Sequence, residues 1–246
     1  MRTYAIGDIH GHLDLLQAAH GWIADDIALH GPAPVVHIGD LVDRGPDSRG
    51  VIEYLMAGVA AGQDWIVLKG NHDRMFGYYL QTPSLHDPRL RPDLSWLHPR
   101  LGGSNTLASY GVPNAADRPL APVHAEALAA VPAEHRLFIE TLPTSFMRGE
   151  AFFCHAGIRP GVPLSDQIED DLTWIRKDFL EDTRNHGPLI VHGHTAIDVP
   201  TLYGNRLNID SSAAYGGPVS AVVIEGREVF RLTAEGRSAV HVAELS

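Results

Sequence analysis

The chain has 246 residues, of which 44% are hydrophobic and 20% charged, and its formal net charge is −11. These values are typical of a globular chain with a sizeable core, so we expect a single domain over residues 1–246. The acidic balance argues against a nucleic-acid partner, which would need a basic surface. No apolar run approaches the ~18 residues of a membrane helix, and no export signal is visible. We therefore expect a cytoplasmic protein with no membrane partner.

Three strand–turn–helix units make up the first 80 residues. The predicted strands are Thr3–Ile6, Val35–Ile38 and Trp65–Leu68, and apolar residues at helical spacing follow each of them, over 13–27, 48–61 and 71–80. Strands that alternate with helices indicate an α/β fold with mainly parallel strands. In such sheets, ligands bind beyond the carboxyl ends of the strands. The polar residues that follow the strands should therefore converge; they are Asp8, His10, Asp40, Asp43, Arg44, Asn71 and His72.

Residues 82–123 interrupt this pattern and contain seven of the seventeen prolines. We interpret the segment as an inserted cap or long loop, with a short helix around residues 105–110. Two readings stay open, a mobile solvated loop and a lid that faces the substrate.

The second half of the chain predicts helices over 123–130 and 133–142, followed by strands. The expected strands are 151–154 before His155, 189–191 before His194, 206–209, and a hairpin of 221–224 with 229–232. Residues 170–176 indicate a helix end or a connector. Two further histidines thus follow predicted strands.

The strand ends carry oxygen and imidazole donors without thiolates, which suit Mn, Fe or Zn. One histidine beside a glycine is more often a turn or core residue than a metal ligand. Five such clusters at successive strand ends, however, indicate a metal site. The candidate donors are Asp8, His10, Asp40, Asn71, His155 and His194.

Five short motifs together resemble the metallophosphoesterases, specifically the phosphoprotein phosphatase branch. They are GDIHG (7–11), GDLVDRG (39–45), GNHD (70–73), HAG (155–157) and GHT (193–195). The chain is similar to bacterial serine/threonine protein phosphatases and to symmetrical diadenosine tetraphosphate hydrolases. The resemblance implies a calcineurin-like α/β fold, a four-layer α/β/β/α sandwich with a central β-sandwich and an inserted cap or loop at 82–123.

The resemblance also implies two divalent metal ions, with Mn(II) favoured and Fe or Zn as alternatives. Asp8 and His10 would hold the first ion, and Asp40 would bridge both. The second ion would be completed by Asn71, His155 and His194.

On the substrate side, the resemblance assigns His72 as the general acid, paired with Asp43. Arg44 and Arg176 would bind the phosphate oxygens. Tyr215 lies in a segment that resembles the loop overhanging the family's site, where it would either contact substrate or pack on the rim.

These assignments predict a phosphomonoesterase, foremost a phosphoserine or phosphothreonine protein phosphatase that attacks with a hydroxide bridging the metals. The alternative is a symmetrical dinucleoside polyphosphate hydrolase that cleaves a pyrophosphate bond, in which Trp96 or Tyr110 could hold a base. A third reading, a non-catalytic binding module, is disfavoured because every proposed ligand is intact. Asp73 stands where protein phosphatases usually carry Glu, which weakens a strict protein phosphatase assignment. The substrate, a phosphorylated protein or a small phosphorylated or nucleotide molecule, stays open.

Overall fold

The structure is a computed structural model that describes residues 1–243, and two six-stranded sheets lie at its centre. The helices are α1 (Leu13–His30), α2 (Ser48–Ala60), α3 (Asn71–Gln81), α4 (Gly103–Ser109), α5 (Leu120–Ala130), α6 (Ala133–Thr141), α7 (Glu169–Trp174) and α8 (Lys177–Leu180). The strands are β1 (Arg2–Ile6), β2 (Val35–His37), β3 (Trp65–Val67), β4 (Ser145–Arg148), β5 (Ala151–Cys154), β6 (Leu189–His192), β7 (Thr201–Leu202), β8 (Arg206–Asn208), β9 (Ala221–Glu225), β10 (Glu228–Thr233), β11 (Gly236–Ala239) and β12 (His241–Val242).

Each sheet contains three adjacent parallel strands together with antiparallel pairs. The first sheet has the order β11-β10-β9-β1-β2-β3 and the second β12-β7-β8-β6-β5-β4. Strands β1, β2 and β3 run parallel, as do β5, β6 and β8, whereas β9–β10–β11 and β4–β5 pair antiparallel. The expectation of mainly parallel strands is therefore only half right. Helical crossovers produce the parallel pairs, and strands joined by tight turns must pair antiparallel.

Alternating side chains along each strand build the layers. In β1, Tyr4 and Ile6 join the core shared with α1 and α2, while Ala5 points between the sheets. In β5, Phe153 fills the space between the sheets, and Phe152 and Cys154 pack beneath α7 and α8. A period of two thus buries both faces of each sheet. The predicted four-layer α/β/β/α arrangement is confirmed.

The strands that the sequence did not predict are short and lie near the sheet edges. Strands β4, β11 and β12 have no more than four residues each and include exposed positions. Their side chains carry little hydrophobic alternation, so their pairing depends on a neighbouring strand. Within residues 1–243, no helix is long and apolar enough to cross a membrane.

Segment 82–123 packs into the protein. Residues 82–102 form turns, α4 follows, and α5 begins at Leu120, inside the predicted insertion. Trp96 and Tyr110 are only 7% and 5% exposed, and both rings pack near Phe76 of α3. The expectation that Trp96 or Tyr110 holds a nucleotide base is therefore wrong, because both rings belong to the hydrophobic core.

Candidate metal centre

The loops that follow β1, β2, β3, β5 and β6 meet at one edge of the sandwich. They surround a cavity of about 280 Å³ lined by predicted site residues, namely Asp8, His10, Asp40, Arg44, Asn71, His72, Arg176, His194 and Tyr215. The other two, Asp43 and His155, lie directly behind, hydrogen-bonded to His72 and Asn71. The structure thus brings together the residues that the sequence assigned to metal binding, proton transfer and phosphate binding, with Tyr215 at the same cavity.

The backbone of these loops is strained where it turns ligands inward. Of the seven non-glycine residues with positive φ in residues 1–243, five are His10, Asp40, Asp43, Arg44 and His194. Such left-handed conformations cost roughly 1 kcal/mol or more and cluster at functional sites. They persist here because the surrounding loops fix them.

Two glycines allow these loops to touch. A Cβ on Gly70 would lie 2.2 Å from Asp40 Oδ1, and one on Gly193 would lie 2.0 Å from Asp8 Oδ1. Any larger residue would push the carboxylates out of the cavity. The glycines of the GNHD and GHT motifs are therefore required by close packing.

Lone pairs converge in the half of the cavity beside His155. Its Nδ1 donates to the Ile38 carbonyl at 3.0 Å, so its Nε2 presents a lone pair. That nitrogen lies 2.9 Å from Asn71 Oδ1, 3.2 Å from His194 Nδ1 and 3.3 Å from Asp40 Oδ1. These four nitrogen and oxygen atoms are close enough together to bind one cation.

The other half of the cavity repeats the arrangement around His10. Its Nδ1 donates to the Val42 carbonyl at 3.0 Å, which turns Nε2 toward Asp40 Oδ2, 3.4 Å away. The backbone N–H of His194 donates to Asp8 Oδ2 at 3.1 Å and orients that carboxylate. Asp40 therefore presents one oxygen to each half.

The electrostatics of these groups fit two divalent cations. Burial lowers the pKa of His10 to about 3 and that of His194 well below its usual value, which keeps both imidazoles in the neutral, metal-binding form. Burial, with the neighbouring carboxylates of Asp210 and Asp40, raises the pKa of Asp8. Crowded carboxylates and inward lone pairs are both stabilised by bound cations. Ligand atoms about 3 Å apart also match a metal–ligand distance of about 2.1 Å.

His72 lies close enough to His10 and Asp40 to complete a second cluster of donors, but its hydrogen bonding directs it elsewhere. Its Nδ1 donates to Asp43 Oδ2 at 2.6 Å. Burial alone would lower the pKa of His72, yet Asp40 and Asp43 outweigh burial and raise it. The ring is therefore suited to carrying a proton.

Sequence reasoning missed two residues that support Asp43. Trp96 Nε1 donates to Asp43 Oδ2 at 2.8 Å, and Thr106 Oγ1 donates to Asp43 Oδ1 at 2.7 Å. Neither residue belongs to a strand-end motif, and no periodicity marks them. Asp73 also gains a structural explanation, because its carboxylate accepts from the backbone N–H groups of Gly70 and Leu41 and ties two site loops together.

The mouth of the cavity carries the two arginines and one exposed aromatic ring. The Arg44 guanidinium lies 4.8 Å from the centre of the Tyr215 ring, and Tyr215 is 73% exposed. Arg176 Nη1 donates to Thr195 Oγ1 at 3.2 Å. A further lining residue, Asp210, was not predicted as a site residue, and burial raises its pKa to about 6.

A buried ion pair anchors the arm that carries Arg176. Arg74 of α3 binds Asp87 through two hydrogen bonds of 2.8 and 2.9 Å, and also binds Asp170 at 2.7 Å. Trp174 Nε1 donates to Asp87 at 3.2 Å. Segment 82–123 is thus connected both to Asp43 and to the chain leading into Arg176.

A cavity of this construction belongs to hydrolases that use divalent ions to cleave phosphoric esters. The chain is a member of the calcineurin-like phosphoesterase family, whose sequence model matches residues 1–223. Family membership brings with it a dinuclear divalent metal site and metal-dependent hydrolysis of phosphoric esters.

Similar proteins include two that carry the description bis(5'-nucleosyl)-tetraphosphatase PrpE, asymmetrical. The one from Anoxybacillus flavithermus is 25% identical over 88% of both chains, and the one from Geobacillus thermodenitrificans is 26% identical over 90% of both. Among solved structures, one described as a candidate diadenosine tetraphosphatase has a TM-score of 0.58 at 22% identity, covering 96% of this chain and 95% of that one. A cold-active protein tyrosine phosphatase of a Shewanella species has a TM-score of 0.56 at 17% identity, covering 98% and 80%. The structural likenesses support the fold.

Proposed function

We propose that the protein hydrolyses dinucleoside polyphosphates at a phosphoric anhydride bond, with asymmetrical cleavage of diadenosine tetraphosphate into AMP and ATP. The description shared by the PrpE relatives, which align with nearly the whole chain, carries this choice of substrate. It favours the alternative raised by the sequence over the phosphoprotein reading, and asymmetrical over symmetrical cleavage.

The mouth of the cavity supports a polyphosphate substrate. Arg44 and Arg176 both line it, so two guanidinium groups can bind successive phosphates. The exposed Tyr215 ring beside Arg44 offers a face on which a base can stack. The net charge of −11 is no obstacle, because cations in the cavity dominate the local field.

The residues around the cavity have different roles in the proposed reaction. Divalent ions held by Asp8, His10, Asp40, Asn71, His155 and His194 would supply Lewis-acid activation of water and of the phosphoryl oxygens. Arg44 and Arg176 orient the phosphoryl group and stabilise the charge that develops on it.

His72 completes the reaction at the leaving oxygen. The oxygen of a water that has released one proton to solvent bonds to phosphorus, the bond from phosphorus to the leaving oxygen breaks, and that oxygen takes a proton from His72 Nε2, which is later replaced from solvent. Asp43 holds Nδ1 and so keeps the proton of the ring available on the cavity side.

The test compares kcat/KM for diadenosine tetraphosphate, a phosphothreonine peptide and an aryl phosphate in Mn²⁺, with products separated by ion exchange. We expect the dinucleotide to be preferred by at least about tenfold, since a site that binds several phosphates and a base gains from each. AMP and ATP in equal amounts support the proposal. Two ADP would replace asymmetrical by symmetrical cleavage, and a faster phosphopeptide would overturn the substrate class.

A His72→Asn variant serves as the control in each assay. It should retain its metals and lose activity by roughly 10²–10⁴-fold, the usual contribution of a general acid. If the variant kept full activity, either a contaminating enzyme is responsible or His72 is not the general acid. If the variant loses activity, its metal content shows whether the loss comes from missing ions or from the missing acid.

A further inference from the structure

Asp43 is fully buried and is surrounded by donors from three parts of the chain. His72 and Trp96 both donate to its Oδ2, and Thr106 donates to its Oδ1. We propose that Trp96 and Thr106 are positioning residues for the His72–Asp43 pair. Segment 82–123 would then act on the buried side of the site, where it holds the residues that deliver the proton, and would not be a lid over the mouth of the cavity. The inference rests on the acid–base roles proposed above for His72 and Asp43.

The Trp96 ring is held in one orientation by its packing contacts. Its ring stacks on Phe76 with centroids 5.4 Å apart and lies 4.7 Å from the Tyr79 ring. These contacts aim Nε1 at the same carboxylate oxygen that receives His72. A carboxylate oxygen has two in-plane lone pairs, so the two donors together occupy Oδ2 and oppose rotation of the group.

Thr106 controls the other oxygen and the backbone. Its hydroxyl donates to Asp43 Oδ1 and accepts from the Asp43 backbone N–H at 2.9 Å. The Thr106 side chain thus makes two hydrogen bonds to the same residue, Asp43, and these stabilise its left-handed backbone conformation (φ +74°). A serine would keep both bonds, whereas a valine of the same shape would lose them.

The consequence for His72 is geometric. Three donors hold the buried carboxylate in the plane that accepts Nδ1–H of His72, and this leaves Nε2, on the cavity side, as the ring atom that gains and loses a proton. Loss of the Thr106 hydroxyl leaves Oδ1 without a partner in a dry environment, and loss of the Trp96 N–H leaves Oδ2 with His72 as its one donor. The carboxylate then turns to find another partner, and the imidazole follows it.

The experiment separates proton delivery from folding by changing the leaving group. The substrates are para-nitrophenyl and phenyl esters of phosphate or of AMP, whichever the wild-type protein turns over. A para-nitrophenolate leaves readily without a proton, whereas a phenolate needs one. We expect Trp96→Phe and Thr106→Val to lower kcat for the phenyl ester about tenfold or more and for the para-nitrophenyl ester less than about threefold, with KM little changed.

Two control variants distinguish a positioning role from a general loss of structure. Thr106→Ser should restore the phenyl ester rate, and Tyr110→Phe should leave both rates unchanged. Tyr110 is a matched control because it lies in the same segment 82–123, and its hydroxyl makes a buried hydrogen bond with His135 Nδ1 of α6 and none with Asp43. Equal loss on both esters in Trp96→Phe and Thr106→Val would overturn the positioning role.

A spectroscopic measurement, which needs no substrate turnover, tests the same inference in variants that react slowly. In Zn²⁺-loaded protein, ¹⁵N NMR of the His72 ring should show the Nδ1–H tautomer, with a downfield proton that weakens in Thr106→Val and returns in Thr106→Ser. An unchanged ring signal in Thr106→Val and Trp96→Phe would overturn the inference. If His72→Asn itself spared the phenyl ester, the proposed function would fail first, which is a different result.

Discussion

The proposed metal ligands are held by backbone groups of neighbouring loops, whereas the groups around them are held by side chains from distant parts of the sequence. His10 and His155 each bond a backbone carbonyl, and Asp8 accepts from a backbone N–H. By contrast, Asp43 depends on Trp96 and Thr106. The rim comprises Arg44, Arg176 and Tyr215, and segment 82–123 supports it through the contacts of Asp87 with Arg74 and Trp174.

This difference determines what each region tolerates. The strand-end loops are fixed by glycine contacts and by residues with left-handed backbone, so a substitution there would remove a proposed metal ligand and leave no other residue in place to replace it. The rim is fixed by a few hydrogen bonds and one buried ion pair, so it can change while the metals stay bound. Relatives can therefore share the metal centre and differ in substrate.

Asp40→Asn should have the largest effect, because each half of the cavity uses one oxygen of Asp40. An amide lacks the charge needed between two cations. We expect loss of both metals and a fall in kcat/KM on the order of 10³-fold or more. Metal content after dialysis and initial rates in excess Mn²⁺ measure the two losses.

Asp26→Asn is the matched control for that change. Asp26 is a buried carboxylate far from the cavity, bonded to Arg237 and Tyr4. This variant should lose stability and keep both metals. Retention of two equivalents of metal by Asp40→Asn would show that the centre is less dependent on Asp40 than its geometry implies.

Asp87→Asn tests the rim by breaking its ion pair with Arg74. Removing one partner of a buried pair is destabilising, here by about 3 kcal/mol because the amide still accepts one hydrogen bond. The Trp174 contact that anchors the Arg176 arm is weakened as well, so KM for a phosphorylated substrate should rise while metal content is unchanged. Urea unfolding and metal analysis check these outcomes.

Asp93→Asn provides the comparison within the same segment. Asp93 and its partner Arg91 are both well exposed, so solvent screens this pair and its loss should leave the urea midpoint unchanged. Loss of metal in Asp87→Asn would contradict the separation of rim and centre.

The convergence of the proposed metal ligands could be predicted because each of these residues lies beside a strong sequence signal. Each follows a hydrophobic strand and sits beside a glycine, and parallel strands bring their carboxyl ends together. Asp43 and Arg44 were found by the same motif. Trp96, Thr106 and Asp87 could not be found this way, because each acts through a contact with a residue far along the chain. Segment 82–123 therefore looked like a loop, although it is packed into the core.

The scaffold beneath Asp40 should respond to pH. His37, in β2, lies with its Nε2 3.0 Å from that of His20. Burial lowers the pKa of His20 from 6.5 to about 4 and, with the neighbouring His20, that of His37 from 6.5 to about 3. Below pH 6.5 the unfolded chain binds protons that the folded pair rejects, so the free energy of unfolding falls as pH drops toward 4.

Between pH 7 and pH 5, each such histidine should cost about 2 kcal/mol of stability. Urea midpoints with metals saturating at both pH values measure it. His20→Gln keeps a hydrogen-bond partner for His37 but cannot titrate, so its loss between the two pH values should be smaller by that amount. An identical pH dependence in wild type and variant would show that the pair is not the source.

Tyr215→Ala should have the smallest effect and bears most directly on substrate. The ring is exposed and contacts Arg44 by a cation–π interaction, which at an exposed site contributes about 0.5–1 kcal/mol. If a base also stacks on the ring, KM for diadenosine tetraphosphate should rise roughly three- to tenfold, more than KM for an aryl phosphate. Tyr215→Phe should behave like wild type on both substrates, since the ring is retained. Equal increases for both substrates would limit Tyr215 to orienting Arg44 and would assign base recognition to another part of the rim.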